Sequence, residues 1–185
     1  MTRIIIKAMP HRAEFISYLR RLLPHAEWCF DVKRSATDTF LRGLEMAGDD
    51  PSVHMEEDVI LTNNFVQKLE AAIAERPNEM IQFFSMRIDD IRIGSRHDRS
   101  FMMNQCHYFP RGYCRALLEF ARAWPGWEKD PNGYDTMMQA WMRSRHEPYW
   151  IHVPSLVNHR VAKSMIDHRR SSRRQSKTFV DGIEP

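Results

Sequence analysis

Three consecutive acidic residues interrupt an apolar stretch that otherwise has the composition of a buried strand. Residues 53–61 read Val-His-Met-Glu-Glu-Asp-Val-Ile-Leu. Burying carboxylates in a sheet costs several kcal/mol unless they are paired or bind a metal ion, so we expect this strand to end at a cleft. Alternation places Glu56 and Asp58 on one side and Glu57 on the other. Two carboxylates on one side suit Mn²⁺ or Mg²⁺ held together with a substrate diphosphate. The alternative is a solvated turn whose acids pair with nearby lysines or arginines.

A second segment that could carry chemistry lies near the end of the chain. Residues 150–160 run from strand-like residues through Pro154 to His159. Neutral imidazole is a good ligand for Mn²⁺ and other transition metals. A lone histidine after a strand is more often structural than a metal ligand, and the spacing alone does not connect His159 to Asp58.

The elements that must position these residues alternate between strands and helices. Apolar runs predict strands at 3–8, 27–32, 53–61, 79–86, 106–109 and 149–153. Helical spacing of apolar residues predicts helices between them, one capped by Ser35, one with Pro110 in its first turn and one over 134–145. We expect 87–104 to be a mobile loop. This alternation is typical of an α/β fold with a mainly parallel central sheet flanked by helices. Ligands of such sheets bind beyond the carboxyl ends of the strands, where the acidic triplet lies.

Length and composition indicate one ordinary globular domain. The chain has 185 residues and a net charge of +3. It has no apolar run near the roughly 20 residues that span a bilayer, and its N-terminus lacks a signal-peptide core. We therefore expect a cytoplasmic protein without a transmembrane segment. The three cysteines have no zinc-knuckle spacing, which favours reduced, buried thiols.

The charge is concentrated in the last part of the chain. The segment from Arg160 to Lys177 contains seven lysines and arginines and a single acid, Asp167. We divide the chain into a domain over 1–160 and a basic tail over 161–185. Such a tail can bind the phosphates of a nucleotide, a nucleic acid or an anionic membrane, or it can simply be solvated.

Three motifs together resemble one family of glycosyltransferases. Glu56-Glu57-Asp58-Val59 resembles the Glu-Asp-Asp-Val segment of the lipooligosaccharide and procollagen galactosyltransferase family. The segment 154–159, Pro-Ser-Leu-Val-Asn-His, is similar to that family's closing Pro-Ser-Leu-Val-x-His, and 106–118 to its strand-proline-helix. The motifs occur in the same order, and the resemblance covers roughly 4–179. It implies a single GT-A, Rossmann-like domain.

The resemblance also implies roles for particular residues. Asp58 and His159 would ligate the metal, and Glu56 would face the ribose or the water shell of the metal. Asp135 would be the general base that takes the proton of the acceptor hydroxyl, which implies inversion at the anomeric carbon. The alternative for Asp135 is an acid that the helix dipole favours. This chain has glutamate at 56 and 57, where the family commonly has aspartate.

Basic residues at predicted strand ends are candidates for contacts with the nucleotide. Lys7 and Arg12 lie near the end of the first strand, and Lys33 follows the second. In the tail, Ser172 and Arg173 resemble part of a lid that folds over the donor diphosphate. The alternative for the strand-end residues is an exposed charge.

The resemblance implies a metal-dependent transfer of a sugar from a nucleotide diphosphate, with a UDP-sugar as the expected donor and Mn²⁺ or Mg²⁺ as cofactor. The acceptor is either a hydroxymethylated base in DNA, as for phage DNA-modifying glucosyltransferases, or a surface glycan. Two alternatives remain: a non-catalytic nucleic-acid-binding protein, and a metal-dependent nuclease or phosphatase. The sequence does not determine the oligomeric state.

Overall fold

Strands and helices alternate along the chain, as the apolar patterns predict. The computed structural model describes residues 1–87, 90, 94–96, 104–160 and 174–185, and of 94–96 the backbone alone. The strands are β1 (Arg3–Ala8), β2 (Glu27–Phe30), β3 (Ser52–Glu56), β4 (Val59–Leu61), β5 (Ile81–Gln82), β6 (Gly94–Arg96), β7 (Cys106–Phe109), β8 (Tyr149–Ile151) and β9 (Val157–His159). The helices are α1 (Ala13–Leu22), α2 (Ala36–Ala47), α3 (Phe65–Glu75), α4 (Tyr113–Ala123) and α5 (Tyr134–Arg145).

Seven of these strands form one mixed sheet, in the order β2-β1-β3-β7-β5-β8-β6. β1 pairs in parallel with β2 and β3, and β5 pairs in parallel with β8. β7 runs antiparallel between β3 and β5, and β6 runs antiparallel to β8. Most strands therefore point the same way, which confirms the predicted α/β class with a mainly parallel central sheet. The sequence analysis did not anticipate the two reversed strands.

The central strand β1 is buried on both faces because the sheet separates two apolar cores. Ile4 and Ile6 belong to a core that also contains Leu69 of α3. Ile5, on the opposite face, packs in a second core with Phe40 of α2 and other apolar side chains of α4 and α5. Helices on both faces explain why β1 is a continuous apolar run rather than an alternating one.

The acid-rich stretch is two strands rather than the single strand predicted over 53–61. β3 ends at Glu56, and the chain bends at Glu57 and Asp58 before β4 begins. β4 leaves the central sheet and pairs antiparallel with β9 in a separate two-stranded sheet. The expectation that 149–153 is the last strand is therefore wrong, since β9 follows it.

Element boundaries agree with the sequence in some places and differ in others. Ser35 caps α2, because its Oγ accepts a hydrogen bond from the amide of Asp38 at 3.1 Å. Pro110 is not in the first turn of α4, which begins only after Gly112, a glycine at φ 79°. β5 covers only two residues of the strand predicted over 79–86. Part of the predicted loop 87–104 lies outside the described residues, and 94–96 within it form β6.

The end of the chain packs against the domain. The amide of Ile183 donates to Leu61 O at 2.8 Å, and the amide of Asn63 donates to Asp181 O at 2.8 Å. Tyr18 of α1 donates its hydroxyl to Ile183 O at 3.0 Å and accepts from the amide of Leu61 at 2.9 Å. The terminal part of the basic tail is thus fastened to β4 and α1.

The cysteines agree with their predicted state. Cys29, Cys106 and Cys114 are all buried and unpaired, as predicted. None of the helices in the described parts of the chain combines the length and the apolar composition that crossing a bilayer requires.

Candidate functional site

The candidate site lies where β1 and β3 end side by side. Lys7 of β1 is paired in register with Glu56 of β3. The amide of Glu57 donates to Lys7 O at 3.1 Å, and the amide of Arg160 donates to Asp58 O at 2.8 Å. These backbone bonds hold the acidic turn between β1 and the residue that follows β9. The location is the carboxyl end of parallel strands, where the sequence predicts a cleft.

Arg12, just before α1, pairs with two of the three acids. Its Nη1 donates to Glu57 Oε1 at 3.0 Å and to Asp58 Oδ2 at 2.9 Å. The three side chains are only 12%, 8% and 13% exposed. The acids are therefore paired with an arginine, as one alternative expected, but they lie in a buried cluster and not in a solvated turn. Buried acids of this kind depend strongly on their partner.

His159 reaches the same carboxylate from β9. Its Nε2 lies 3.4 Å from Asp58 Oδ2, and its side chain is 4% exposed. The pairing of β4 with β9, which sets Val59 opposite His159, delivers the imidazole to this position. The structure thus brings together the two residues that the sequence spacing alone could not connect.

Burial and pairing move the pKa values of these groups in different directions. Burial raises the pKa of Glu57 to about 7, the charge of Asp58 adds to the rise, and Arg12 opposes it. Burial also acts to raise the pKa of Asp58, but hydrogen bonds and charges of His159 and Arg12 outweigh it and lower the pKa to about 2. Burial acts to lower the pKa of His159, but Asp58 raises it. Asp58 is therefore the permanently ionised member of the cluster.

Glu56 faces a different neighbourhood from Glu57. The Tyr134 hydroxyl donates to Glu56 Oε1 at 2.8 Å. Lys7 is 6% exposed, and its Nζ lies 5.0 Å from the ring centre of Phe40 and 5.7 Å from that of Tyr134. This ammonium has no hydrogen-bond partner. Burial lowers the pKa of Lys7, against the charges of Glu56 and Asp135.

Asp135 lies in the first turn of α5 and faces the same neighbourhood. Asn104 donates its side-chain amide to Asp135 Oδ1. The charge of Asp135 acts on both Lys7 and Tyr134. The residue thus has the helix position that the dipole favours and also lies near Lys7 and Tyr134, the neighbours of Glu56.

Of the other predicted nucleotide contacts, Lys33 pairs with a residue of α2, and two lie outside the described residues. Lys33 is 66% exposed, and its ammonium contacts Asp38 of α2 at 2.8 Å. Ser172 and Arg173 lie outside the described residues. A role for these three in donor binding stays a prediction.

The structure also reveals residues that the sequence analysis did not select as part of this site. Tyr134 donates to Glu56, and Asn104 donates to Asp135. Nothing in the sequence around the two donors indicates that role. Arg160 follows His159 directly and is 8% exposed. Its guanidinium carbon lies 4.4 Å from the ring centre of Phe15 and 4.5 Å from that of Tyr18. Adjacency to the predicted histidine ligand was the signal that could have identified Arg160.

The donor atoms at Asp58 and His159 fit a cation that is shared with a substrate. Asp58 Oδ1 and His159 Nδ1 are both buried and have no hydrogen-bond partner. A carboxylate oxygen and an imidazole nitrogen are ligands that Mn²⁺ accepts. Within the part of the chain that the structure describes, no group of three or more His, Cys, Asp or Glu side chains is arranged to hold a metal ion. A cation held by Asp58 and His159 would therefore need further ligands from a substrate.

Comparison with known proteins adds no relative. No family model matches the chain, and no curated protein matches it.

Proposed function

We propose that this chain is a metal-dependent glycosyltransferase of the GT-A type, which transfers a sugar from a nucleotide diphosphate sugar to an acceptor hydroxyl. The observation that carries the proposal is the contact between Asp58 and His159 at 3.4 Å. The family resemblance implies that these two residues share a metal. Their meeting at the carboxyl end of the sheet supports that implication, since they lie about a hundred positions apart in the chain.

Asp58 and His159 would hold the cation, which when bound offsets the negative charge that develops on the leaving diphosphate. The low pKa of Asp58 keeps its carboxylate ionised, as a metal ligand requires. A UDP-sugar is the expected donor, and Mn²⁺ or Mg²⁺ is the expected ion.

Asp135 is proposed as the general base for the acceptor hydroxyl. It lies near Lys7 and Tyr134, and Asn104 holds one of its carboxylate oxygens. A carboxylate whose orientation is fixed by a side-chain amide can take the hydroxyl proton while the new glycosidic bond forms. One base on the acceptor side implies inversion of the anomeric centre.

Glu56 is proposed to face the ribose or the water shell of the metal, with Tyr134 fixing its carboxylate. Lys7 lies beside it as a buried cation without a hydrogen-bond partner. Its charge lowers the cost of holding several carboxylates at one end of the sheet.

The proposal includes two candidate acceptors, a hydroxymethylated DNA base and a surface glycan. The basic tail favours a polyanionic acceptor, whereas the family resemblance favours a glycan. Salt-sensitive binding to DNA would favour the first of these.

The test is hydrolysis and transfer from a panel of nucleotide sugars, with Mn²⁺, with Mg²⁺ and with EDTA, in wild type and Asp58→Asn. We expect turnover of at least one donor with a divalent ion and a loss of about 100-fold or more in Asp58→Asn. Asp50→Asn is the matched control, because Asp50 is 56% exposed and precedes β3, at the end opposite Asp58. This control should keep wild-type turnover.

Two outcomes would overturn the proposal. If no donor is bound or turned over, and Asp58→Asn behaves as Asp50→Asn does, the chain is not a glycosyltransferase. DNA binding that persists in Asp58→Asn would then favour a nucleic-acid-binding protein, whereas metal-dependent cleavage of DNA or of a phosphate ester would favour a nuclease or phosphatase.

A further inference from the structure

Arg160 is a buried arginine to which the described residues supply no counter-ion in contact. Its Nε and Nη2 are buried and make no hydrogen bond. The residue is 8% exposed. A guanidinium stays charged in proteins and carries five N–H donors, so buried donors without acceptors are costly and uncommon.

The neighbouring carboxylates are committed to other donors. Arg12 takes Glu57 Oε1 and Asp58 Oδ2, and His159 also contacts Asp58 Oδ2. Arg160 is close enough to feel the charges of Asp58 and Glu14, but it bonds to neither. Among the described residues, the carboxylates of Glu57 and Asp58 therefore pair with the guanidinium of Arg12 and leave that of Arg160 without a carboxylate partner.

Aromatic packing explains where Arg160 lies, but it leaves the donors unsatisfied. The guanidinium stacks between Phe15 at 4.4 Å and Tyr18 at 4.5 Å, and Arg12 also lies over Phe15, at 5.3 Å. Contact with ring faces stabilises a cation and fixes its plane. Contact with ring faces leaves the in-plane N–H groups of a guanidinium available as the fork that binds a carboxylate or phosphate.

A second unpaired donor lies nearby. The amide of Ser176 donates to Asn158 Oδ1 at 2.9 Å, which brings the segment that begins at Arg174 beside His159, and Arg174 Nε is also buried without a partner. Two arginines with unpaired N–H groups thus flank the histidine that touches Asp58. Positively charged side chains whose N–H donors are fixed and unpaired are suited to bind an anion with several oxygens.

We propose that Arg160, with Arg174 beside it, forms a binding site for the oxygens of a diphosphate, and that this site binds the diphosphate without a divalent cation. The inference rests on the proposed function for the identity of the ligand, the diphosphate of a nucleotide sugar. It assigns to arginine part of the charge neutralisation that a metal alone would otherwise provide.

The experiment is calorimetric titration of the protein in EDTA with UDP, inorganic pyrophosphate and uridine. We expect UDP and pyrophosphate to bind wild type, and Arg160→Gln to weaken both by about 10- to 100-fold, the range of one to two charge-assisted hydrogen bonds. Uridine, which has no phosphate, should bind both proteins alike. Arg122→Gln is the matched control, because Arg122 is 65% exposed and its guanidinium pairs with the exposed Glu45.

Thermal melting of the same variants separates binding from folding. Arg160→Gln removes no hydrogen bond of Nε or Nη2, so we expect a melting temperature close to that of wild type. If the variant does not fold, Arg160→Lys keeps the charge but loses the fork, and we expect it to bind pyrophosphate several-fold more weakly. Equal binding by wild type and the folded variant, or no binding of pyrophosphate by wild type in EDTA, overturns the inference.

Failure of this inference differs from failure of the proposed function. If EDTA abolishes all binding while sugar turnover with Mn²⁺ persists, the arginine site is wrong and the glycosyltransferase stands. If pyrophosphate binds through Arg160 but no nucleotide sugar is turned over, the anion site stands without the glycosyltransferase.

Discussion

At the scale of single residues, Arg12 is the group whose role changed most between sequence and structure. The sequence places it at a strand end as a nucleotide contact, but its guanidinium bonds to Glu57 and Asp58. A divalent cation and this guanidinium would compete for the same carboxylate charge. Arg12 is therefore expected to weaken metal binding until a donor supplies further ligands.

Replacing Arg12 tests that competition. Arg12→Met keeps most of the side-chain volume and removes the charge, and we expect Mn²⁺ to bind about tenfold more tightly in the absence of nucleotide, because the carboxylates lose their competing cation. Titration of Mn²⁺ followed by electron paramagnetic resonance measures the change. Arg122→Gln should leave the affinity unaltered. Weaker Mn²⁺ binding in Arg12→Met would show that Arg12 supports the metal site and does not compete with it.

The sequence singled out Asp58 and His159, which the structure places in contact, but it did not single out their surroundings. Both residues were identifiable because a charge in an apolar strand and a histidine after a strand are local signals. The family resemblance then connected the two signals. Tyr134 and Asn104 could not be identified in this way. Their partners come from distant elements, and the tyrosine is also typical of an ordinary core residue.

At the scale of elements, the acidic turn forms because two sheets meet there. The single strand predicted over 53–61 would bury Glu57 and Asp58 within one sheet. The chain instead leaves the central sheet after β3, and β4 pairs with β9. The resulting bend brings both carboxylates to Arg12 and brings Asp58 also to His159. Periodicity cannot show this change of sheet, because β9 is a distant three-residue strand without a pattern of its own.

The cap of α2 provides a test at the same scale. Ser35→Ala removes the acceptor for the Asp38 amide and should lower the free energy of unfolding by about 1 kcal/mol. Urea unfolding monitored by circular dichroism measures the loss. Ser144→Ala is the matched control, since Ser144 lies inside α5, away from its N-terminus, and its Oγ donates to Trp141 O at 2.7 Å. Its effect should stay within about 0.5 kcal/mol. An equal effect of the two substitutions would contradict the assigned cap.

At the scale of the whole molecule, the sheet buries two histidines that cannot easily be charged. His54 and His107 are fully buried, and their rings stack at 5.8 Å. His54 Nε2 lies 3.1 Å from Ser52 Oγ and 3.4 Å from Cys114 Sγ. Burial, together with the charges of Lys7 and Arg3, lowers the pKa of His54 to about 3.

This burial makes the stability of the protein depend on pH. The unfolded chain protonates His54 below about 6.5, whereas the folded chain resists protonation down to about 3. The contribution of neutral His54 to the free energy of unfolding is therefore fully present above about pH 6.5. It falls as the pH is lowered, by up to about 1.4 kcal/mol per pH unit. Urea unfolding between pH 7 and pH 4 measures the slope.

Variants identify the source of that slope. On acidification, wild type takes up close to one proton more on unfolding than His54→Gln does, so the variant should lose less stability. This difference should hold even if the variant is less stable at pH 7. His25→Gln, at an exposed position, should keep the wild-type slope. A wild-type slope in His54→Gln would contradict the assignment.

The fold class was predictable over the whole chain because alternating strands and helices leave a strong local pattern. Helix α5 was predicted with its observed bounds, and β1 likewise. The sequence could not show that β6 and β7 are reversed, since strand direction depends on how the connections cross the sheet. It also could not show that the last residues fold back on Tyr18 and Leu61, because those contacts join opposite ends of the chain.

The measurement that tests the central claim most directly is a double-mutant cycle at Asp58 and His159, with Mn²⁺-dependent affinity for UDP as the readout. If the two residues hold one cation, Asp58→Asn and His159→Gln will each abolish the gain in affinity that Mn²⁺ gives, and the double variant will lose no more than the single variants. Losses that add independently, or a Mn²⁺-dependent gain that survives in either single variant, would contradict a shared metal at this site.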